Sequence, residues 1–176
     1  MNARKVAQRF LVPSFVVTLI YMLRYRCKVS PRAEVELSAR LRIGAGTRIS
    51  SFAKVKATDG DLNIGENVDI GPCCFISADA GGVDIGDYSM IGPNTSIIGN
   101  DYKYDRLDVP VGLQEKTSKG IRIGKDVWIG AGCVITDGAQ IDDHCIVAPN
   151  SVVSGKLDAR TVAQGQPARP LFVRRA

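Results

Sequence analysis

The sequence predicts an all-β fold in which short parallel strands coil around a triangular prism, and two observations support it. Aliphatic residues recur every six positions through most of the chain, from Ile43 to Val153. The composition agrees, because 18 glycines and an aromatic share of 6% favour a core of small aliphatic side chains between tight turns. A period of six matches neither an α-helix nor a heptad, so a helical repeat is excluded.

The repeat is grouped in threes, and the grouping predicts the shape of the coil. The aliphatic positions are Ile43, Ile49, Val55; Ile64, Ile70, Ile76; Ile85, Ile91, Ile97; Ile123, Ile129, Ile135; Ile141, Val147, Val153. The spacing is six within each triplet, and nine, nine, twenty-six and six between triplets. Every insertion therefore follows a third hexad, as expected if three hexads make one turn and one corner accepts extra residues. Such turns are stabilised by stacking on their neighbours.

Each hexad, such as IGENVD or IGPNTS, combines an inward aliphatic residue with a small neighbour and a corner residue. Glycine, asparagine and aspartate are expected at the corners, because they adopt a positive φ at low steric cost. Cys133 and Cys145 occupy small-residue positions, so packing explains them. Five cysteines without C-x-x-C spacing favour reduced thiols, and the single histidine, His144, leaves no histidine cluster for zinc. No metal site is predicted.

The chain length and charge limit the classes of partner. At 176 residues the chain fits one globular domain. The formal charge of +5 is concentrated at the N-terminus, since residues 1–28 carry +6 and the remaining 148 residues sum to −1. The body contains no basic cluster with interleaved aromatics, so a nucleic-acid partner is not predicted.

The apolar stretch from Phe10 to Leu23 predicts a short N-terminal helix. Its 14 residues are too few to cross a bilayer, and no small-x-small cleavage site follows them. Two interpretations stay open: the helix packs on the end of the domain, or residues 4–28 contact a membrane surface peripherally. The predicted boundaries are 1–28 for this basic, apolar segment, 29–158 for the β-helix with a loop at 99–122, and 159–176 for a C-terminal tail.

The stretch from about Val29 to Arg175 resembles the hexapeptide-repeat acyltransferases. The motifs IRIGKDVWIGAGCVI and VAQGQPARPLFV are similar to the galactoside, maltose and xenobiotic acetyltransferase branch and its polysaccharide-modifying relatives. The resemblance implies a left-handed parallel β-helix, a homotrimer, and acetyl-CoA as co-substrate in the groove between two prisms. Matched onto the family pattern, the cofactor-binding residues are Trp128, Ala131, Pro149, Ser154, Gly155, Lys156 and Arg169.

The insertion at 99–122 resembles the family's protruding loop, which carries the catalytic histidine. A sugar hydroxyl attacks a thioester only when a base takes its proton, and imidazole is suited to this at neutral pH. Here the loop begins GNDYKYD and contains no histidine. Depending on where one gap falls, the missing imidazole maps to Asn100, Asp101 or Tyr102, and Asp105 is the acidic residue that follows. Three explanations stay open: Asp101 or another group is the base, an engineered substitution removed the histidine, or the protein binds without catalysis.

The resemblance therefore implies an acetyl-CoA-dependent O-acetyltransferase that acts on a sugar hydroxyl in surface polysaccharide or glycoconjugate biosynthesis. A cytoplasmic enzyme with a sugar or lipid-linked glycan as acceptor is expected. If the N-terminal segment contacts a membrane, the location is peripheral, at the inner face of the cytoplasmic membrane. One alternative is a catalytically inactive trimeric β-helix that binds or scaffolds, because the loop histidine is missing. A second alternative is a serine acetyltransferase-like enzyme, although the sizeable helical N-terminal domain of that class is not present.

Overall fold

A computed structural model describes residues 12–57 and 59–175 of the chain. The body is a solenoid whose successive turns contribute strands to three sheets of eight, six and six strands. Within the sheets, consecutive turns pair in parallel, so the strand Lys28–Val29 pairs with Arg48–Ile49, which in turn pairs with Asp69–Ile70. The predicted prism of stacked turns is confirmed.

The strands fall on three faces, which are named here in chain order. The first face contains β1 (Lys28–Val29), β4 (Arg48–Ile49), β7 (Asp69–Ile70), β10 (Met90–Ile91), β15 (Trp128–Ile129), β18 (Ile146–Val147), β21 (Thr161–Gly165) and β22 (Ala168–Val173). The second face contains β2 (Glu34–Val35), β5 (Lys54–Lys56), β8 (Phe75–Ser77), β11 (Ser96–Ile98), β16 (Val134–Ile135) and β19 (Val152–Val153). The third face contains β3 (Leu41–Ile43), β6 (Leu62–Ile64), β9 (Val83–Ile85), β14 (Ile121–Ile123), β17 (Gln140–Ile141) and β20 (Lys156–Leu157).

Three rows of turns join the faces and form the edges of the prism. The first corner joins the first face to the second, as at 130–132 and 148–150. The second corner joins the second face to the third, as at 79–82, 136–138 and 154–155. The third corner joins the third face to the first, as at 124–126 and 142–144.

The hexad aliphatic residues fill the interior in continuous columns. All the positions predicted from the period are buried, with at most 3% of their surface exposed. The register stacks like on like, since Ile70 pairs Ile91 and Ile91 pairs Ile129 on the first face. Burial of these branched side chains drives the coil to close, because each turn can cover its apolar residues only with the turns above and below.

Buried hydroxyls next to the aliphatic columns tie consecutive turns together. Thr95 Oγ1 donates to the carbonyl of Gly130 at 3.0 Å and accepts from the Cys133 amide at 3.3 Å. Ser89 Oγ likewise donates to the carbonyl of Gly124 at 2.9 Å. Among the described side chains, no buried nitrogen or oxygen atom lacks a hydrogen-bond partner. Serine and threonine at the small position of the hexad therefore also provide hydrogen-bond partners for backbone groups at the corners.

The corners adopt the predicted positive φ, but with a wider set of residues than expected. Asn67, Asn94 and Asp126 have φ between 51° and 59°. Phe52 and Tyr88 also adopt it, at 64° and 60°, although a large side chain there costs about 1–2 kcal/mol. The restriction of the corners to glycine, asparagine and aspartate was therefore wrong. The hydrogen bonds between turns impose the backbone conformation even on bulky residues, as where the amide of Tyr88 donates to the Glu66 carbonyl at 2.9 Å.

The N-terminal helix α1 spans Ser14–Tyr25 and packs across the open end of the first turn. Tyr21 is 2% exposed, and its hydroxyl donates to the carbonyl of Glu36 at 2.7 Å. Burial raises the pKa of the Tyr21 phenol to about 12. Of the two interpretations left open by the sequence, packing on the end of the domain is observed for these residues, and contact of residues 4–28 with a membrane surface stays a prediction. The part of the predicted stretch before residue 12 lies outside the described residues.

The long insertion leaves the solenoid at the second corner, as the register count predicts. It runs from residue 99 to residue 120 and not to the predicted 122, because β11 ends at Ile98 and β14 already begins at Ile121. Within it, β12 (Asp101–Tyr102) pairs antiparallel with β13 (Lys116–Thr117), and a short 3-10 helix spans Val111–Leu113. At the other end of the chain, β21 and β22 form an antiparallel hairpin that extends the first face.

We predict that Gly44→Ala lowers the free energy of unfolding by about 1–3 kcal/mol, because an added methyl group overpacks the contact between turns. A Cβ at Gly44 would lie 2.4 Å from the Gly65 carbonyl carbon and 2.5 Å from the Glu66 amide nitrogen. Urea unfolding followed by circular dichroism measures the change. Gly112→Ala is the control, because a Cβ there meets nothing within 4 Å. Equal stability of the two variants would contradict close packing of the turns.

Candidate functional site

The residues predicted to bind the cofactor lie along two edges of the second face. Ala131 and Pro149 occupy the first corner, while Ser154 and Gly155 occupy the second corner. Strand β19 (Val152–Val153) runs between Pro149 and Ser154. The structure therefore brings the predicted residues to two parallel edges rather than to one cluster.

At the first corner, two turns stack closely enough for a ligand to meet backbone. The amide of Asn150 donates to the carbonyl of Ala131 at 2.9 Å. Gly130 has no room for a side chain, since an added Cβ would lie 2.6 Å from the Pro149 nitrogen. Trp128 enters this corner from β15 and is 50% exposed, in register with Met90 below and Ile146 above. Its outward ring gives the first corner an apolar wall.

Arg169 reaches the same edge through the C-terminal hairpin. It is exposed on β22, opposite Gln164 of β21. The turn of the hairpin is tied to the first corner, because Gln166 Nε2 donates to the carbonyl of Asn150 at 2.8 Å. A guanidinium near this edge can bind a phosphate with two parallel hydrogen bonds.

At the second corner, Ser154 and Gly155 are exposed and the space around them is open. A Cβ added to Gly155 would meet no atom within 4 Å. Lys156 follows on the third face, where its Nζ lies 2.7 Å from Asp158 Oδ1 and 3.6 Å from Asp142 Oδ2. The hydrogen bond with Asp158 raises the pKa of Lys156. Its charge is thus already shared with two carboxylates.

The root of the protruding loop is fixed by hydrogen bonds to the turns below and above it. Ser118 Oγ donates to the carbonyl of Gly99 at 2.6 Å and accepts from the amide of Gly81 at 2.8 Å. Above, the carboxylate of Asp137 accepts from the amides of Lys119 and Gly120 at 2.8 and 2.9 Å. Sequence reasoning missed Ser118 and Asp137. The return of the repeat at Ile121 marks where the loop ends, but a period carries no information about such bonds.

The positions that match the family histidine lie just beyond this root. Asn100 is half-buried, and Asp101 and Tyr102 are exposed on β12. One oxygen of the Asp101 carboxylate accepts from the amide of Tyr102 at 2.8 Å. Lys116 of β13 lies over the Tyr102 ring, with its Nζ 5.5 Å from the ring centroid. These side chains form a small polar surface on a rigid two-stranded base.

The distal part of the loop is held by its own polar contacts and exposes apolar side chains. Lys103 Nζ lies 2.6 Å from Glu115 Oε2, which raises the pKa of Lys103 and lowers that of Glu115. Gln114 Nε2 donates to the carbonyls of Arg106 and Val109 at 2.8 and 2.9 Å.

Asp105 is exposed in this distal part of the loop. Beyond Tyr102, the large apolar residues left exposed in the loop are Tyr104, Leu107, Val111 and Leu113. An ordered loop with an uncovered apolar tip is suited to contact another surface.

The remaining reactive side chains lie away from both edges or inside the core. His144 lies on the third corner, exposed and with its Nδ1 2.9 Å from Asp126 Oδ2, as expected for a solvated corner histidine. Cys133 and Cys145 are buried as predicted, and burial raises the pKa of both thiols. Within 12–57 and 59–175, no group of three or more His, Cys, Asp and Glu side chains could hold a metal ion.

Comparison with known proteins gives a family and several relatives. The family model for the bacterial transferase hexapeptide (six repeats) matches residues 120–155. The dTDP-4-amino-4,6-dideoxy-D-glucose acyltransferase of Escherichia coli is 31% identical, over 75% of this chain and 81% of that protein. A protein of Escherichia coli (strain K12) assigned to O-acetyl transfer in lipopolysaccharide biosynthesis is 23% identical, over 94% of this chain and 91% of its own length. A protein of Mycobacterium tuberculosis named as a probable acetyltransferase is 28% identical over 74% of this chain. The chain spans only 43% of the length of that protein.

Solved structures share the fold. The N-acyltransferase AntD from Bacillus cereus, in complex with dTDP and 3-hydroxybutyryl-CoA, has a TM-score of 0.75 at 20% identity, over 85% of this chain and 82% of that one. PerB from Caulobacter crescentus, in complex with CoA and GDP-perosamine, has a TM-score of 0.64 at 20% identity, over 83% of this chain and 57% of that one. The fold is therefore the left-handed parallel β-helix of these acyltransferases.

The chain belongs to the hexapeptide-repeat acyltransferases, and the resemblance drawn from its motifs is confirmed. It is an acyltransferase. The solenoid supplies the edges and faces, and the loop at the second corner is the one long departure from the repeat in the described residues.

We predict that Ser118→Ala loosens the root of the loop without unfolding the solenoid. The change removes two hydrogen bonds, each of which contributes about 1 kcal/mol. Hydrogen–deuterium exchange is expected to rise for the amides of residues 100–117 and to stay unchanged in the core strands. Ser77→Ala is the control, because the bond that joins this serine to the loop uses its backbone carbonyl, which accepts from the Gly99 amide at 2.9 Å and is kept in alanine. Equal exchange in both variants would show that Ser118 does not hold the loop.

Proposed function

We propose that the protein transfers an acyl group from an acyl-CoA thioester, acetyl-CoA in the first instance, to a hydroxyl of a sugar. One observation carries the proposal: a long loop leaves the solenoid at the second corner, the same edge on which the small, exposed residues Ser154 and Gly155 lie two turns further along. Relatives with sugar acyltransferase names and fold neighbours solved with coenzyme A support the donor and the acceptor class. Surface polysaccharide or glycoconjugate biosynthesis in the cytoplasm is the proposed setting.

We propose that the donor lies between two copies of the chain in a homotrimer. The seven cofactor candidates lie on or next to two different edges, so we infer that a ligand touching both edges is enclosed by two chains. If one protomer presents its first corner to the second corner of the next, Trp128 and Pro149 face Ser154 and Gly155 across a groove. The pantetheine arm then meets backbone at the stacked turns, and Arg169 is available for a phosphate.

The distribution of apolar side chains over the three faces supports such an assembly. Toward the C-terminal end, the outward positions of the first face are Met90, Trp128 and Ile146, and those of the second face are Val134 and Val152. The third face is polar along its length. Its outward positions are Arg42, Asn63, Asp84, Arg122, Gln140 and Lys156. Two faces thus favour contact with another protein surface, and the third favours solvent.

The proposed step needs a base near the acceptor. The sugar oxygen attacks the thioester carbonyl carbon, the carbon–sulfur bond breaks, and the released thiolate takes up the proton that the base removed from the hydroxyl. Asp101 is the candidate base, with Asn100, Tyr102 and Asp105 positioned to bind the acceptor. An exposed aspartate is a weak base, since its ordinary pKa is about 3.9. In a groove that excludes water, a carboxylate is less well solvated and accepts a proton more readily.

An amino group of a sugar is the second candidate acceptor, and the loop itself favours it. The loop contains no histidine, and a neutral amine attacks a thioester without first losing a proton to a strong base. The relative with 31% identity is named for an amino sugar. An amine acceptor would therefore explain why Asn100, Asp101 and Tyr102 stand where the family has an imidazole.

We predict release of free thiol from acetyl-CoA in the presence of nucleotide-linked sugars that carry free hydroxyls. Asp101→Asn is expected to lower kcat by about 10²–10⁴, as for loss of a general base. Asp108→Asn is the matched control in the same loop, because the Asp108 carboxylate pairs with Arg106 and is not among the candidate site residues. Thiol release with a chromogenic disulfide measures both variants.

The outcomes of this assay separate the candidates. If calorimetry detects no binding of acetyl-CoA or CoA, the proposal of an acyl-CoA donor is overturned. Turnover with amino sugars alone would favour the second candidate. Histidine introduced separately as Asn100→His, Asp101→His or Tyr102→His identifies the vacated base position if one variant gains activity with hydroxyl acceptors.

We predict that Val152→Glu dissociates the assembly, because it places a charge on the apolar part of the second face. Multi-angle light scattering is expected to give the mass of a trimer for the wild type and of a monomer for the variant. Gln140→Glu, two strands earlier on the polar third face, is the control and should remain trimeric. A wild-type monomer, or a trimeric Val152→Glu variant, would contradict the proposed groove.

A further inference from the structure

The N-terminal helix α1 covers the solenoid with one side and leaves an apolar stripe on the other. The stripe consists of Phe15, Leu19, Met22 and Leu23, which lie at i, i+4, i+7 and i+8 and so share one face of the helix. All of them are exposed, Leu23 to 75%. They are separate from the side that packs on the first turn, where Tyr21 is fixed by burial and by its hydrogen bond.

Basic side chains follow the stripe directly. Arg24, Arg26 and Lys28 are exposed, and none of them has a carboxylate partner within the described ranges. No acidic residue occurs in the first turn of α1. The end of the molecule is therefore both apolar and cationic at its surface.

Positive charge is concentrated in the N-terminal part of the chain, and the rest of the chain is net negative. Residues 12–57 contain nine Lys and Arg and two Glu, for a net charge of +7. Residues 59–175 contain eleven Lys and Arg and sixteen Asp and Glu, for a net charge of −5. The first eleven residues add Arg4, Lys5 and Arg9 in sequence and no acid. This separation orients the N-terminal end toward anionic surfaces.

We propose that α1 and the first turn dock the protein on an anionic phospholipid surface. The stripe lies in the interface at headgroup depth, and Arg24, Arg26 and Lys28 contact lipid phosphates. The helix lies flat on the surface, because its 12 residues span about 18 Å. No helix in the described part of the chain meets the length and hydropathy needed to cross a bilayer. This inference does not rest on the acyl transfer proposed above.

Either a lipid surface or a second copy of the chain could cover the apolar stripe, and the charge around the stripe favours the lipid surface. In an assembly of parallel prisms, the N-terminal ends of neighbouring copies lie side by side, so contacts between their helices would bring like charges together. An anionic bilayer supplies the opposite charge and an apolar layer at once. The lipid surface is therefore the occupant that satisfies both properties of this end.

Flotation of the full chain with vesicles tests the proposal. Protein is expected to float with phosphatidylcholine vesicles that contain about 30% phosphatidylserine and not with phosphatidylcholine alone. The double variant Leu19→Glu/Leu23→Glu should bind anionic vesicles about tenfold more weakly or worse. Arg24→Gln/Lys28→Gln tests the charge separately and should also weaken binding about tenfold. The control is Leu171→Glu/Val173→Glu on β22, which is expected to float like the wild type.

Three results would overturn the proposal. One is a wild-type protein that does not float with anionic vesicles. Another is a Leu19→Glu/Leu23→Glu variant that floats as well as the wild type. The third is a lower mass of that variant in light scattering, which would make the stripe an interface between copies of the chain.

Discussion

The column of stacked aliphatic side chains inside the prism is the constraint on which the rest of the structure depends. Paired strands lie about 4.8 Å apart, so each turn must place its inward residues directly on those of the turn below. Ile97 stacks between Ile76 and Ile135 in this way. In the described residues these side chains fill the interior of the prism from turn to turn. Binding must therefore occur on the faces, along the corners or between copies.

The same constraint explains why the chain departs from its repeat at one corner. An insertion at the second corner leaves the strands on both sides in register, since Ile98 pairs Ser77 before the loop and Ile121 pairs Val83 after it. The solenoid therefore tolerates an insertion that would break a sheet if it fell within a strand. Ser118 and Asp137 then bind the loop to turns that the register has already fixed. A rigid scaffold thus holds the polar root of the loop in a defined position.

The period of six predicts the inward positions and the location of the loop, because both follow from counting along the chain. It does not predict the backbone conformation, exposure or hydrogen bonds of residues outside the columns. Phe52 and Tyr88 adopt a positive φ because the bonds between turns require it, a cause that residue preference alone does not reveal. The split of α1 into a buried side and an exposed stripe was equally hidden, since the helix is apolar nearly all round. The order of the loop depends on contacts such as that of Ser118 with Gly81, which join residues far apart in sequence.

The surfaces of the prism differ in kind, and their positions relative to each other restrict how the protein can work. The cationic helix lies at one end, the apolar parts of the first and second faces lie toward the other, and the third face is polar throughout. The loop leaves the fourth turn, which is about 15 Å from the first turn at the strand spacing of a sheet. If the helix rests on a bilayer, the root of the loop is therefore held above the headgroups rather than among them. An acceptor linked to lipid would reach it only with its sugar part extended from the membrane, whereas a water-soluble nucleotide sugar would reach it freely.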